Sequence, residues 1–186
     1  VARAAPPPNI GSPFVKPYQL GERQFADLLG SSEVFKFTFV RNPYTRLLSS
    51  YLDKVMSGDA MTAKYYRDQL ELPPTGPVSF AEFARRVSGQ SPGQMNKHWR
   101  PQVYQSLLRF CDLDMVGKLE TLQDDFDRVR RRIGADVRPV GHVAPHATQA
   151  SSRLAQFYDA ETADIVASVY AEDFAAFGYD TTRPGI

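Results

Sequence analysis

Hydrophobic and polar residues follow two different periods on either side of a short polar stretch. Over residues 34–40 phenylalanine occupies every second position (Phe35, Phe37 and Phe39), which predicts a β-strand with its phenylalanine face in the core. Arg41 and Asn42 follow, with Asn42 placed to cap a helix. Beyond them, apolar residues recur three and four positions apart and predict the buried face of that helix: Tyr44, Leu47, Leu48, Tyr51 and Val55.

Other segments repeat this alternation of strand and helix. The patterns predict helices at Arg23–Leu29, from the capping box Ser79–Glu82 to Gly89, at Glu120–Ile133 and from Asp159 to about Phe177, and strands at Asp114–Leu119 and Arg138–Val143. We find no internal repeat and no domain linker. We therefore expect an α/β protein with a parallel sheet flanked by helices, comprising an irregular Pro-rich segment at residues 1–18 and a single domain at 19–186.

Composition and charge exclude several classes of protein. Hydrophobic residues make up 42% and charged residues 23% of the 186 residues, and the formal net charge is +1, so we expect no general attraction to nucleic acid or to an anionic membrane. No apolar run approaches the roughly 18–20 residues that span a bilayer. The single cysteine and the absence of an Asn-x-Ser/Thr sequon favour a bacterial-type cytoplasm, with the Golgi lumen as the alternative.

The end of the predicted strand carries side chains suited to an anion. In an open α/β sheet, ligands bind at the carboxyl ends of the strands, where helix N-termini present free N–H groups. The guanidinium of Arg41 can clamp a phosphate there, and Ser49 can donate its hydroxyl from two turns into the helix. The alternative is that Arg41 forms an internal ion pair and Ser49 is simply exposed.

The stretch FVRNPYTRLLSSYLDK resembles the 3′-phosphate-binding segment of the sulfotransferases, usually Arg-Asp-Pro-x-x-Arg-x-x-Ser-x-Tyr. Arg41, Arg46, Ser49 and Tyr51 match that segment, and Asn42 replaces the usual acid. Three further segments, in the same order, resemble sulfotransferase family 2, the carbohydrate sulfotransferases of the chondroitin 4-O and natural-killer-epitope types and their bacterial relatives: NKHWRPQ at 96–102, DMVGKLETL at 114–122 and VYAEDFAAFGYD at 169–180. The resemblance extends over most of the chain.

This resemblance implies a P-loop-kinase-like sulfotransferase fold. It also implies transfer of a sulfuryl group from 3′-phosphoadenosine 5′-phosphosulfate (PAPS) to a hydroxyl of a carbohydrate. Arg41 and Ser49, with Asn42 and Arg46 beside them, would bind the 3′-phosphate of PAPS. Two serines lie where the family has a polar loop near PAPS, so they are further candidates for binding it, unless they only begin a helix: Ser151 and Ser152.

The NKHWRPQ segment supplies candidates for catalysis and for acceptor binding. Sulfuryl transfer needs a base that titrates near neutrality for the acceptor hydroxyl, and His98 is the candidate. Trp99 can stack on a sugar ring, and Arg100 beside it is a further candidate contact to the acceptor. The alternative is that His98 and Trp99 form a structural plug under the sheet. Lys118 and Glu120 are interpreted as structural, at a strand end and a helix start.

Sulfotransferases also carry a 5′-phosphosulfate loop with a catalytic lysine after their first strand, and we find no such loop in this sequence. Lys16 is followed by Pro17 and has no strand before it. We therefore expect the N-terminal strand and this loop to lie upstream of Val1. The alternatives are that another lysine substitutes, or that the protein is a non-catalytic member of the fold that binds nucleotide or glycan.

The sequence gives little support to two other possibilities, a nucleotide kinase and a metal site. A nucleotide kinase is a less favoured alternative, because the chain contains no GxxxxGK[ST] motif. His142 and His146 have a spacing found in metal sites, but Pro145 lies between them and no acidic or cysteine partner is near. We therefore expect no metal.

Overall fold

A computed structural model describes residues 15–134 and 149–182 of the chain. Three sequence expectations lie wholly or partly outside these residues: the Pro-rich segment 1–18, the strand at Arg138–Val143 and the pair His142 and His146. Within the described part, Pro17–Gln19 forms a 3-10 turn. The last residues of the N-terminal segment are therefore more regular than expected.

The described residues form two strands and eight α-helices. In chain order they are α1 (Glu22–Gly30), β1 (Phe37–Val40), α2 (Pro43–Ser50), α3 (Ala60–Asp68), α4 (Phe80–Ser88), β2 (Met115–Lys118), α5 (Leu122–Ile133), α6 (Leu154–Phe157), α7 (Ala160–Val169) and α8 (Ala171–Phe177). A π-helical turn continues α2 over Tyr51–Val55, and 3-10 turns occupy Gln102–Tyr104, Leu107–Arg109, Leu119–Thr121 and Ala150–Arg153.

The two strands pair with each other in parallel. Phe37 lies opposite Met115, and Val40 lies opposite Lys118. A parallel pair requires a crossover between its strands, and here the crossover is the long helical segment that contains α2, α3 and α4. The expected α/β fold with a parallel sheet is confirmed. β1 runs directly into α2, so its carboxyl end meets the N-terminus of a helix.

The phenylalanine face of β1 is not in the core, contrary to the sequence expectation. The strand begins at Phe37 rather than Val34, Phe37 is 42% exposed, and the buried residue of the strand is Val40. The phenylalanines contact one another instead, with ring centroids 5.6 Å apart for Phe35 and Phe37 and 6.1 Å for Phe37 and Phe39. A period of two shows which residues share a face, but not which face the rest of the chain covers.

The main core lies among the helices. α7 packs against both α2 and α4. The apolar stripe predicted on α2 is buried along its whole length, so that prediction is confirmed. Trp99 is the largest side chain with no exposed surface, and it makes edge contacts with Phe83 and Tyr66. A smaller apolar cluster of Val40, Val103 and Phe177 lies under the end of β1.

Helix ends follow the local sequence signals. The side chains of Asn42, Ser79 and Asp159 each accept a hydrogen bond from a backbone N–H two or three positions further on, as predicted for N-caps. Gly134 ends α5 in the left-handed conformation, with φ of 64°. The last predicted helix is divided at Tyr170 into α7 and α8. Over the described ranges, no helix combines the length and apolar character that crossing a bilayer requires.

Candidate functional site

A cavity of about 470 Å³ opens beside the carboxyl end of β1 and the first two turns of α2. It lies where open α/β sheets bind their ligands, as the sequence predicts. Its polar lining includes residues from the strand end, from α2 with its π-helical turn and from the NKHWRPQ segment: Arg41, Arg46, Ser49, Asp53, Lys97, His98 and Gln102. The cavity is therefore polar and carries three cationic side chains.

Arg41 leaves β1 and points into this cavity with its guanidinium anchored by one hydrogen bond. Its Nε donates to Thr45 Oγ1 at 3.1 Å, one turn into α2. Burial lowers the pKa of Arg41, and the nearby Glu120 and Tyr179 oppose that shift. Among residues 15–134 and 149–182, no carboxylate forms an ion pair with Arg41. Within these residues, the structure gives no support to the alternative in which Arg41 forms an internal ion pair.

Arg46 presents a second guanidinium, and part of it has no hydrogen-bond partner among the described residues. Nη2 donates to the backbone carbonyl of Lys97 at 3.0 Å, whereas Nη1 is buried and unpaired. Burial lowers the pKa of Arg46 most strongly, and the positive charge of Arg41 lowers it further. A buried N–H without a partner costs free energy, more when the group is charged. An anion in the cavity would satisfy this group.

The two serines at the end of α2 have different surroundings. Ser49 lines the cavity, as the sequence predicts for a hydroxyl that faces a phosphate. Ser50 is buried, and its single hydroxyl proton is shared between the carbonyls of Arg46 and His98, which lie 3.0 and 2.7 Å from Oγ. Ser50 thereby fastens the NKHWRPQ segment to α2. Asp53 reaches the cavity from the π-helical turn, a helix irregularity that often marks functional sites.

His98 lines the same cavity as the two arginines. Burial lowers its pKa most, the ammonium groups of Lys54 and Lys97 lower it further, and Asp53 acts in the opposite direction. The edge of Tyr66 packs against the imidazole, with ring centroids 5.4 Å apart. Because the pKa is lowered from a value of 6.5, the imidazole is neutral at neutral pH and can accept a proton.

Trp99 and Arg100 do not face the cavity, so their expected role in acceptor binding needs correction. Trp99 is fully buried, and its Nε1 donates to Gln90 Oε1 at 3.0 Å. The Nε and Nη2 of Arg100 both donate to the carbonyl of Met95, at 3.1 and 2.7 Å. Trp99 is therefore a structural plug, but it lies in the core among the helices rather than under the sheet, and the adjacent His98 lines the cavity.

The remaining candidates lie away from the cavity lining. Ser151 and Ser152 are exposed in the 3-10 turn before α6, and the Ser152 hydroxyl donates to the Gln149 carbonyl at 3.0 Å. The described structure does not bring them together with Arg41. Asn42 acts on the backbone instead, because it caps α2 and donates its own N–H to Glu120 Oε1 at 2.8 Å.

All four segments that carry the family resemblance meet at this strand–helix junction. Gln102 of NKHWRPQ exchanges two hydrogen bonds with the backbone of Arg41, at 2.9 and 2.8 Å. Glu120 of DMVGKLETL holds the Asn42 N–H and accepts from the Tyr179 hydroxyl at 2.8 Å. Sequence reasoning missed Gln102 and Tyr179 as parts of the site, although both lie in segments that carried the resemblance. Only their partners, distant in sequence, reveal the role.

Comparison with known proteins agrees with this geometry. Residues 19–180 match the model of the sulfotransferase family. The chain belongs to that family. Carbohydrate sulfotransferase 14 of Danio rerio is 34% identical over 113 residues, which cover 54% of this chain and 30% of that protein. Carbohydrate sulfotransferase 12 of Mus musculus is 31% identical over 170 residues, covering 77% of this chain and 40% of the relative. No solved structure matches the chain significantly.

These relatives correct the expected location of the protein, and they are matched over only part of their length. Carbohydrate sulfotransferase 10 of Xenopus laevis is 26% identical over 171 residues, and the match again covers less than half of the relative, 47%. The chain thus spans less than half the length of these curated relatives. All three come from animals and are named as carbohydrate sulfotransferases. The expectation of a bacterial-type cytoplasmic protein is wrong, and the comparison favours the alternative, the Golgi lumen.

Proposed function

We propose that this protein is a PAPS-dependent sulfotransferase that acts on a hydroxyl of a carbohydrate. The observation that carries the proposal is the cavity in which Arg41, Arg46 and Ser49 meet, where Arg46 Nη1 is buried and has no hydrogen-bond partner among the described residues. A doubly charged phosphate satisfies such a group with charge-assisted hydrogen bonds. The names of the animal relatives support a carbohydrate as the acceptor.

The residues of the cavity fit the 3′-phosphate of the sulfate donor. Arg41 and Arg46 supply guanidinium donors, Ser49 supplies a hydroxyl, and the N-terminus of α2 adds its partial positive charge. A volume of about 470 Å³ lies within the range typical of small-ligand sites. When bound, PAPS supplies the sulfuryl group that is transferred.

His98 is proposed as the base for the acceptor hydroxyl. Its lowered pKa keeps the imidazole neutral at neutral pH, and it shares the cavity with the arginines. The protein can thus hold an anionic nucleotide and remove a proton within one cavity. The positive charges of Lys54 and Lys97 favour the neutral imidazole before it accepts that proton.

Nucleotide binding tests the proposal directly. We expect the chain to bind adenosine 3′,5′-bisphosphate more tightly than adenosine 5′-monophosphate in calorimetric titrations. Arg41→Ala should weaken bisphosphate binding by about 1.5–3 kcal/mol, or roughly 10–150-fold, because a charge-assisted contact is lost. Ser49→Ala should weaken it by about 1–2 kcal/mol. The matched control is Arg85→Ala, because Arg85 is exposed and only loosely paired with Glu161 at 3.7 Å.

Equal affinity for the two nucleotides, or unchanged bisphosphate affinity in Arg41→Ala, would contradict the proposal. The chemical step needs a separate assay, since the chain covers less than half of its relatives. In a protein that includes residues upstream of Val1, His98→Gln should lower sulfuryl transfer by about 10²–10⁴-fold without weakening nucleotide binding. Tight nucleotide binding without turnover in that longer protein would instead identify a non-catalytic member of the fold.

A further inference from the structure

Gln102 holds the backbone of Arg41 at the point where β1 ends. The backbone N–H of Arg41 donates to Gln102 Oε1 at 2.9 Å, and the Arg41 carbonyl accepts from Gln102 Nε2 at 2.8 Å. One side-chain amide thus takes both backbone groups of this residue, as a peptide group of a neighbouring strand would. This pairing fixes the direction in which the Arg41 side chain leaves the strand.

The orientation of that amide depends on Asp173, a carboxylate of α8 with no exposed surface. Gln102 Nε2 donates to Asp173 Oδ2 at 3.3 Å, and the backbone N–H groups of Gln102 and Val103 donate to the same carboxylate at 2.8 and 2.9 Å. A carboxylate only accepts hydrogen bonds, so it requires the NH₂ end of the amide on its side. Rotating the amide by half a turn would place Oε1 against both Asp173 and the Arg41 carbonyl.

Asp173 also acts on the second arginine of the cavity. Its negative charge raises the pKa of Arg46 against the lowering caused by burial and by Arg41. Asp173 forms no ion pair within the described part of the chain, and Arg46 lines the cavity. One buried carboxylate therefore orients Arg41 through Gln102 and favours the charged form of Arg46 through space.

We propose that Asp173 and Gln102 form a positioning relay that aims Arg41 at the 3′-phosphate of the bound nucleotide. This inference rests on the proposed function, and it assigns Gln102, which lines the cavity, and the buried Asp173 a role that acts through Arg41. The relay predicts that damage to Gln102 weakens only the contact that Arg41 makes. Affinity for a nucleotide that lacks the 3′-phosphate should therefore be unaffected.

The test compares adenosine 3′,5′-bisphosphate with adenosine 5′-monophosphate on the full chain, using calorimetry. For Gln102→Leu we expect about tenfold or greater loss of affinity for the bisphosphate and less than about twofold for the monophosphate. Adding Gln102→Leu to Arg41→Ala should cost nothing further, because the relay acts through Arg41. Gln123→Leu on the exposed face of α5 is the matched control and should change neither affinity.

A second variant keeps the test decisive if Gln102→Leu does not fold. Gln102→Glu preserves the shape of the side chain but places a carboxylate against Asp173 and the Arg41 carbonyl. At about pH 8 it should lose bisphosphate affinity relative to wild type, and at about pH 5 protonation should return one donor and part of that affinity. A purely structural role would not produce this pH-dependent recovery of bisphosphate binding alone.

The outcomes separate this inference from the proposed function. If the wild-type chain does not prefer the bisphosphate, both the proposed function and the relay are wrong. If the wild type prefers the bisphosphate but Gln102→Leu weakens both nucleotides equally, or neither, the relay is overturned while the proposed function stands. Selective loss for the bisphosphate, absent in the Arg41→Ala background, supports the relay.

Discussion

The helical half of the molecule, where α2, α4 and α7 pack together, is held by apolar contacts, whereas the junction of β1 and α2 is held by polar side chains. Trp99, Phe83 and Leu48 in the helical half are fully buried. At the junction, Gln102 and Glu120 hold the backbone groups of residues 41 and 42. This difference indicates that apolar packing stabilises the helices, whereas directional hydrogen bonds position the charged side chains at the junction.

Two adjacent residues show how closely the two halves meet. Trp99 is buried among aromatic rings in the helical half, whereas His98 faces the cavity beside Arg46. The Ser50 hydroxyl bonds to the His98 carbonyl, and the Tyr170 hydroxyl bonds to the Trp99 carbonyl at 2.6 Å. These two bonds fix the backbone between the residues, so the plug positions the proposed base.

The largest effect is expected from removing the plug. Trp99→Ala should lower the free energy of unfolding by about 3–5 kcal/mol, because it leaves a large cavity and an unpaired Gln90 amide oxygen. Urea unfolding measures the loss. A cost below about 1 kcal/mol would show that the helical half does not depend on its apolar packing in the way this comparison requires.

A smaller effect is expected at the sheet. Phe37→Ser should cost about 1 kcal/mol of unfolding free energy, because Phe37 is 42% exposed and the substitution removes its ring contacts with Phe35 and Phe39. Phe110→Ser is the matched control; Phe110 is 76% exposed, and its replacement should change stability by less than about 0.5 kcal/mol. A cost for Phe37→Ser as large as that of Trp99→Ala would remove the contrast between the halves.

The smallest effect concerns the electrostatics of the cavity. Burial and two lysines lower the pKa of His98, so Lys97→Gln should raise it towards the ordinary value of 6.5, because one neighbouring cation is removed. NMR titration of the imidazole protons measures the shift, with His98→Gln identifying the signal. Lys64→Gln, at an exposed lysine paired with Asp68, serves as the control and should leave the titration unchanged.

The same pKa predicts how transfer depends on pH. A base with a lowered pKa stays neutral to a lower pH than an ordinary imidazole, and it loses its function as acid protonates it. In a longer protein that catalyses transfer, the acidic limb of the rate profile should move to higher pH in Lys97→Gln. A profile that does not move would argue that His98 is not the base.

Local patterns determined much of this protein from the sequence alone. The helical stripe of α2, the caps at Asn42, Ser79 and Asp159 and the left-handed Gly134 depend on residues within a few positions of one another. The cationic strand end at Arg41 is similarly local, because a strand that runs directly into a helix places its last side chain near the helix N-terminus.

Which of these residues face the cavity, and what holds them there, depends on contacts between segments that are distant in sequence. Gln102 lies 61 residues from Arg41 and 71 from Asp173 along the chain, so no local pattern reveals their contact. The exposed face of β1 and the opposite directions of His98 and Trp99 likewise follow from which helices cover each side. Periodicity specifies which side chains share a face, whereas burial and hydrogen-bond partners depend on segments that folding brings together.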